Sequence, residues 1–574
     1  MNNETTQDEI RDFLKGRLSE AAAAAFRQRM ANDPALEDRV AFARMLLGGL
    51  EALERKKRSR RNWFIGGGIL LVVSAGLAIA WFLLQDHSPT PPPAPPPPRP
   101  ATGSNPGQAA TQAGSNSEKF ESDRAISLCW NSRGEVIVGG QFEGAPVFGD
   151  IRLPGFGGQD IFITACNQNL EFAWARQFGS PLGNDYLCEI CLDSKDNILV
   201  TGGFFDQARF DNRIVRAKGK ANLGEGDFFI AKLNPKGKLL WLDHSGGNMI
   251  PDKQTGNNLG HTVVADHADN IIAAGAYIGT PKIGAYTLPV GGPNEDLYLV
   301  KYTPDGQITW LKTITSDFQM VVRSLATDDQ NNLYLTGQFG HHNFGGKAYF
   351  DKDTLQSFGG QDIFLAKYNP NGQLQWVRQA GSTLKNGHES GTSVLVDHQG
   401  QVLLTGYFED QARFENQIRS SRGKHDVFVA KYNAAGKLLW VNTYGGEQRD
   451  VSGGLSVDQT GNVYCVGQFT GQAVFDQLNR NSKGAVDMFV LKLNPDGQLQ
   501  WVQQAGGDTN AWNSDAALSI AIDKSNRLVI TGFFSGTMQL GNQMLRSAGR
   551  EDMFLLFFDA NGRLLDARRT NYAL

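Results

Sequence analysis

Residues 360–377 read Gly360-Gln361-Asp362-Ile363-Phe364-Leu365-Ala366-Lys367-Tyr368-Asn369-Pro370-Asn371-Gly372-Gln373-Leu374-Gln375-Trp376-Val377. Asp362 to Tyr368 is a short, mostly apolar run, Asn369-Pro370-Asn371-Gly372 is a turn signal, and a second run resumes at Leu374 and ends on Trp376-Val377. Two such runs joined by four turn residues form an antiparallel strand pair. Upstream, Val321 to Asp328 and Leu333 to Phe339, separated by Asn331-Asn332, supply two more strands, with a variable loop before Gly360. The unit is therefore four short strands.

It recurs. Tryptophans 174, 241, 310, 376, 440 and 501 fall 67, 69, 66, 64 and 61 residues apart, each near the end of a unit. A Gly-x-aromatic closes the second strand at Gly140/Phe142, Gly202/Phe204, Gly275/Tyr277, Gly337/Phe339, Gly406/Phe408, Gly467/Phe469 and Gly532/Phe534. An Asp opens the third at 160, 227, 296, 362, 426, 487 and 552. The last unit lacks its Trp and ends Arg563-Leu564-Leu565-Asp566. Four antiparallel strands cannot cover both of their faces alone, so the units must stack, and radial stacking into a closed ring removes the exposed faces. The expected fold over 118–574 is an all-β, seven-bladed propeller of four-stranded blades, with Lys119-Phe120-Glu121 as a strand that latches onto the last blade. The 66 glycines and 34 phenylalanines suit such a fold, and five cysteines are too few and too scattered for a disulfide framework.

These units resemble the SBBP β-propeller repeats of bacterial surface and secreted proteins, whose Asp-x-x-Gly-Asn turn stands here as Asp458-Gln459-Thr460-Gly461-Asn462. The resemblance implies the fold and leaves the ligand open, because a propeller hosts many functions.

Few residues carry chemistry by pattern. The seven opening Asp residues read as caps of the turns before the third strand. Lys232, Lys301, Lys367, Lys431 and Lys492, five residues on, read as surface or inter-strand partners, and the tryptophans as packing between blades. Cys188 and Cys191 stand three apart in a strand, on opposite faces, and should not meet. His261, His267, His341 and His342 have no ligand partners at metal-site spacing, so no metal and no cofactor is expected. No nucleophile stands at a motif distance from a base, which argues against an enzyme. The loops of one ring face hold Lys218, Lys220, Arg422, Lys424 and Trp512, a basic, aromatic-bearing rim suited to an anionic envelope polysaccharide or peptide. The acids Asp206, Asp211, Glu409 and Glu415 stand among them and dilute that charge.

The N-terminal part is different. Trp63 to Leu84 is uncharged and apolar, broken only by small residues. About 22 residues at ~1.5 Å per residue match a ~30 Å hydrocarbon core, with Trp63 and Trp81 near its two ends, so 63–84 reads as one transmembrane helix. Arg55-Lys56-Lys57-Arg58-Ser59-Arg60-Arg61 flanks it on one side and Gln85-Asp86-His87 on the other carries no Lys or Arg, which places residues 1–61 in the cytoplasm of a bacterium and the propeller in the periplasm. That cluster fits anionic lipid head groups better than nucleic acid. A linker, 85–117, is Pro-rich over Pro89 to Pro100 and then rich in Gly, Ser and Asn.

Residues 1–61 carry helix signals. Thr6-Gln7-Asp8-Glu9 is a capping box, Ser19-Glu20 starts a second helix with Phe26 and Met30 on one face, and Asp33-Pro34 starts a third carrying Leu36, Val40, Ala43, Leu47, Leu50 and Leu53 as a stripe. The run Asp12-Phe13-Leu14-Lys15-Gly16-Arg17-Leu18-Ser19-Glu20, then Asn32-Asp33-Pro34, a long helix and one span resembles the cytoplasmic segment of single-pass anti-sigma factors. With neither His nor Cys in 1–61, it resembles the zinc-free members. The resemblance implies that Phe26, Val40, Leu47 and Leu50 meet a sigma factor or another cytoplasmic regulator. The expected function is thus a membrane-anchored propeller that binds an envelope component and signals inward. The alternatives are a scaffolding or adhesion propeller without signalling and, third, a propeller enzyme.

Overall fold

The computed structural model describes Ser19, Ala22, Ala23, Ala25 and Phe26, and then residues 122–574 apart from 182, 218–225, 249–257, 291–294, 508–513 and 573–574. The chain divides into two units, 1–113 and 114–574. In the first, Ala22, Ala23, Ala25 and Phe26 are helical and Phe26 is buried. Ser19 Oγ accepts from the Ala22 N–H at 3.4 Å, so the second helix begins where its cap stands. The span 63–84 and the linker 85–117 lie outside the described residues. Among the described residues no helix is long and apolar enough to cross a membrane.

The second unit is a β-propeller. In the unit quoted above, Met320–Thr327, Leu333–Phe339, Asp362–Tyr368 and Leu374–Ser382 pair in that order, each antiparallel to the next. The first strands, Asp123–Trp130, Tyr186–Leu192, Leu259–Ala265, Met320–Thr327, Ser390–Val396, Val451–Val457 and Ala516–Ile522, each lie against the next, and the last returns to the first. The hydrophobic clusters lie between units. The cluster at the junction of chain ends packs Val138, Phe142 and Phe162 against Val529, Met553 and Leu555.

One expectation needs correcting. The units are not separate four-stranded sheets with irregular loops. Between second and third strands most of the loops fold into a hairpin, such as Lys347–Phe350 with Asp353–Gln356, and this hairpin adds to the fourth strand of the preceding unit through Thr315↔Tyr349 and Ser316↔Ala348. The main sheets accordingly hold four, six, six, six, eight and four strands. The outer edge of a four-stranded blade exposes unpaired N–H and C=O groups, and the neighbour's hairpin covers them. The ends use the same device: Asn571–Tyr572 pairs with Pro146–Phe148. Lys119-Phe120-Glu121 lies outside the described residues, but the adjacent Ser122 bridges Glu551 in parallel.

The repeated residues have structural work. Each first strand carries a β-bulge opposite the glycine of Gly-x-aromatic: Val322 faces Gly337, and the register slips before Ser324. The bulge pushes the first strand's carbonyl inward, so a Cβ at Gly337 would stand 1.9 Å from the Val321 oxygen. Trp376 Nε1 donates to the Ala434 carbonyl at 3.2 Å in the next unit's turn, and Gly436 of that turn, at φ 76°, lies against the indole face. The lysines pair with the Asp that caps the first turn of their own unit: Lys232 with Asp193 at 2.8 Å, Lys301 with Asp266 at 2.7 Å, Lys431 with Asp397 at 3.0 Å.

Candidate functional site

The loop Ser421–His425 carries the chain from the hairpin strand Gln417–Ser420 into the third strand Asp426–Tyr432, which sets Arg422 and Lys424 at the mouth of a cavity of about 650 Å³. Leu384, Glu409 and Asp410 line the same cavity. A second cavity of about 420 Å³ adjoins it through Gln411, with Phe358, Arg413 and Ile418 in its wall. Phe358 and Ile418 are exposed. The two cavities adjoin as one groove whose walls are apolar and of mixed charge, with Glu409, Asp410 and Glu415 beside Arg413, Arg422 and Lys424. Of the expected rim residues, Arg422 and Lys424 thus stand together; Lys218, Lys220 and Trp512 lie outside the described residues. So do Val40, Leu47 and Leu50 of the expected cytoplasmic face, while Phe26 is buried on its helix.

The charges of the groove are partly spent. Arg422 Nη1 lies 3.2 Å from Asp426 Oδ2, a carboxylate that is fully buried. Burial pushes the Asp426 carboxyl up to about 6, against the pull of Arg422. Lys424 is exposed, and its ammonium makes no hydrogen bond or ion pair among the described residues. Burial opposes ionisation of Glu409, yet His425, with Nε2 2.6 Å from Oε1, holds its carboxyl below the ordinary range. Glu409 is thus paired with His425, and Lys424 is an exposed cation of the mouth, uncommitted among the described residues.

Four histidines gather beside it. His341 stacks on His342 at 4.3 Å and His342 on His388 at 5.4 Å, His388 Nδ1 lies 3.0 Å from Gln361 Oε1, and His425 packs on Tyr407 at 4.9 Å. Burial lowers the His388 pKa. This row was missed in sequence, where His341 and His342 were weighed with His261 and His267. The structure puts His267 in a turn 3.4 Å from Asp329 and His261 in the ring's central channel. The missed signal is position: His388 stands two residues before a first strand and His425 one before a third strand, so both face the same rim. Among the described residues no group of three or more His, Cys, Asp or Glu is placed to hold a metal.

The channel is the second site, and nothing in the sequence reading pointed to it. Six of the bulges turn one residue toward the axis, Ile126, Cys188, His261, Arg323, Thr392 and Leu518; in the remaining strand the register skips two residues, Gly453 and Gly454. They line a cavity of about 270 Å³. The residue after the bulge stitches neighbouring first strands: Ser127 Oγ accepts from the Ile190 N–H at 3.2 Å, Thr262 Oγ1 from Leu325 at 3.1 Å, Ser324 Oγ from Val394 at 3.1 Å. Glu189 holds that place in one strand, accepting from the Val263 N–H at 2.9 Å and from the Thr262 hydroxyl, and burial pushes its carboxyl up to about 7. Cys188 and Cys191 are free thiols.

The Asp residues that open third strands do cap turns. Asp160 Oδ2 accepts from the Phe156 N–H at 2.5 Å, and Asp487 Oδ1 from Lys483 at 3.1 Å. The structure adds a feature the sequence hid: the next unit often brings a second buried acid beside each of them. Asp160 meets Asp185, Asp362 meets Glu389, Asp426 meets Asp450 and Asp487 meets Asp515, and in each pair the charge of the first raises the pKa of the second after burial has done so.

No family model matches the chain. It is 20% identical over 445 residues to an uncharacterised WD repeat-containing protein of Acanthamoeba polyphaga mimivirus, covering 63% of this chain and 31% of that protein. It is 27% identical over 197 residues to the regulatory protein FlaEY of Caulobacter vibrioides, covering 33% of this chain and 19% of that protein. The chain thus spans under a third of either relative. Among solved structures, a PL25 ulvan lyase matches with a TM-score of 0.40 at 9% identity, covering 79% of this chain and 96% of that one. A virginiamycin B lyase of Staphylococcus aureus matches with a TM-score of 0.31 at 6% identity, covering 80% and 97%. At these scores the likenesses say nothing of activity.

Proposed function

We propose that the chain is a non-catalytic binding propeller, anchored by the 63–84 segment, that takes an acidic envelope glycan or peptide in the groove at Arg422 and Lys424 and signals through residues 1–61 to a cytoplasmic regulator such as a sigma factor. The observation that carries the binding half is the groove itself. It joins an exposed ammonium at Lys424, unpaired among the described residues, to the exposed apolar side chains of Phe358 and Ile418, and cations beside apolar platforms suit a polymer with carboxylates on an apolar ring or backbone. The inward half rests on the apolar face Phe26, Val40, Leu47 and Leu50 and on the charge asymmetry around 63–84. A stretch shared with a protein named as regulatory is in line with it. We also infer that the ring has seven blades of the SBBP type, supported by the seven-fold Gly-x-aromatic and opening Asp.

The test is titration of the full-length protein with polygalacturonate, with dextran as the neutral control. Saturable binding of the acid polymer, weakened about tenfold or more when Arg422 and Lys424 are both changed to Ala, is the expected result. Equal affinity of variant and wild type sinks the groove. For the cytoplasmic half, residues 1–61 as bait should retain a sigma factor and lose it on changing Leu47 and Leu50 to Asp. Retention of no regulator leaves a scaffolding propeller.

A further inference from the structure

The first strands differ from the rest of the ring. Elsewhere most landmarks keep their residue in nearly every unit, but the bulge keeps only its geometry. In six of the seven first strands it delivers one side chain to the axis, Ile126, Cys188, His261, Arg323, Thr392 or Leu518, and in the other it places Gly453 and Gly454 there. A device that repeats its backbone in six strands and varies its side chain displays residues; it does not pack them. The polar residues are also contiguous, since Cys188, His261, Arg323 and Thr392 come from consecutive strands of the ring. The channel is therefore one-sided, with Ile126 and Leu518 opposite.

Arg323 is the guanidinium of this wall. It is exposed, and among the described residues it makes no hydrogen bond and no ion pair within the usual distance. Among the described residues the one carboxyl that lines the cavity, Glu189, is already engaged by the Val263 N–H and the Thr262 hydroxyl. A guanidinium presents five donors in a planar fork that matches a carboxylate two bonds at a time. Beside it, His261 Nδ1 lies 3.0 Å from the Val322 carbonyl oxygen. A carbonyl only accepts, so Nδ1 carries the proton and Nε2 of the neutral ring is left as an acceptor. Burial and the Arg323 charge push the His261 pKa down to about 4, which keeps the ring neutral near pH 7. The wall therefore offers a fork for a carboxylate and, next to it, a lone pair for a hydroxyl. We propose that the central channel is a binding site for a small hydroxycarboxylate, its carboxylate on Arg323 and its hydroxyl donating to His261. At about 270 Å³ the cavity has room for a ligand of a few carbons up to one acidic sugar ring.

The site is separate from the groove at Arg422, and so is its test. Calorimetric titration of the full chain would use lactate and glucuronate as probes, with propionate lacking the hydroxyl and glucose lacking the carboxylate. Lactate and glucuronate should saturate below about 10 mM, propionate should bind more weakly, and glucose should not bind. Arg323→Gln should weaken both probes about tenfold or more. Among the described residues the side chain has no hydrogen bond to lose, so this variant should keep the wild-type melting temperature. Arg323→Lys, which keeps the charge and loses the fork, should fall between. His261→Phe should remove the preference for lactate over propionate. Changing Arg422 and Lys424 to Ala should leave lactate binding untouched. Lactate bound as tightly by Arg323→Gln as by wild type, no saturation by either probe, or equal affinity for lactate and propionate in the wild type would each overturn the proposal.

Discussion

The wall of the channel and the interfaces between units are built from the same strands, yet they treat sequence in opposite ways. At the interfaces the residue recurs with the geometry: the Trp on the next unit's turn, the Asp that opens the third strand, the Lys on its Asp. At the channel wall the geometry recurs and the residue does not. The difference teaches how to read a repeat protein. A landmark that returns in nearly every unit marks a physical requirement of stacking, and a position whose backbone returns while its side chain changes is where a single ring acquires a particular ligand.

The sharpest way to break that comparison is to attack the residue that makes the bulge possible. A Cβ at Gly337 would stand 1.9 Å from a backbone oxygen that cannot yield without undoing the bulge, so Gly337→Ala should cost roughly 4 kcal/mol or prevent folding. Gly400 is the control. It lies in a turn at φ 73° with nothing within 4 Å of an added Cβ, and Gly400→Ala should cost only about 1 kcal/mol, the strain of a left-handed alanine. Guanidinium midpoints of the two variants check this. Equal losses would mean that the glycine serves conformational freedom and not close approach.

The acid pairs come next in size. Asp362 and Glu389 are fully buried, Asp362 Oδ1 and Glu389 Oε2 lack hydrogen-bond partners, and burial pushes their carboxyls up to about 7 and about 9. In the unfolded chain both titrate near pH 4, so the fold holds protons that the unfolded chain releases. Stability from the pair is fully present below about pH 4 and is lost as pH rises, first through the Asp362 and then through the Glu389 transition. Glu389→Gln cannot ionise and can still bond Ser382, whose Oγ lies 2.6 Å from Oε1. The variant should gain on wild type by on the order of 2 kcal/mol between about pH 5 and about pH 9. The other pairs contribute to the slope of both proteins alike, so the quantity to measure is the difference in denaturation midpoint. A difference that does not grow with pH would show that the pair is ionised without strain.

Much of this was legible in the sequence. The four-strand unit, the capping role of the opening Asp, the structural role of the five lysines and the place of the tryptophans all followed from local spacing, because each is a contact between an element and its neighbour at a fixed distance along the chain. What was not legible needed register. The Gly-x-aromatic was visible, but only strand pairing shows that its glycine faces a bulge, and only then do Cys188, His261 and Arg323 become neighbours across more than 130 residues. The histidine row failed for the same reason, since His342, His388 and His425 come from three loops. The second acid of each pair was hidden because it belongs to the next unit. The hairpins between second and third strands were passed over as loops because their runs of four residues are short and half exposed.

The smallest effect tests whether a repeated residue is required by its partner or only inherited. Trp376→Ala removes the bond to Ala434 and the platform over Gly436, and for a half-buried indole should cost about 2 kcal/mol. The ring already contains one natural counterpart of that loss. The last unit has Asp566 where the others have Trp, and the turn that this position faces, in the first unit, has Leu170 at φ 63° where the others have a positive-φ glycine such as Gly237, Gly306 or Gly372. Leu170 packs into the cluster that joins the chain ends, at the expense of a strained backbone. Asp566→Trp alone should therefore destabilise, because Leu170 occupies its platform, and Leu170→Gly alone should destabilise by leaving a cavity. Together they should restore the arrangement of Trp310 on Gly372, and the double-mutant cycle should show a favourable coupling of about 1 kcal/mol. Additive losses would instead mean that the missing Trp and the missing Gly arose independently, and that the closing interface is packed on principles of its own.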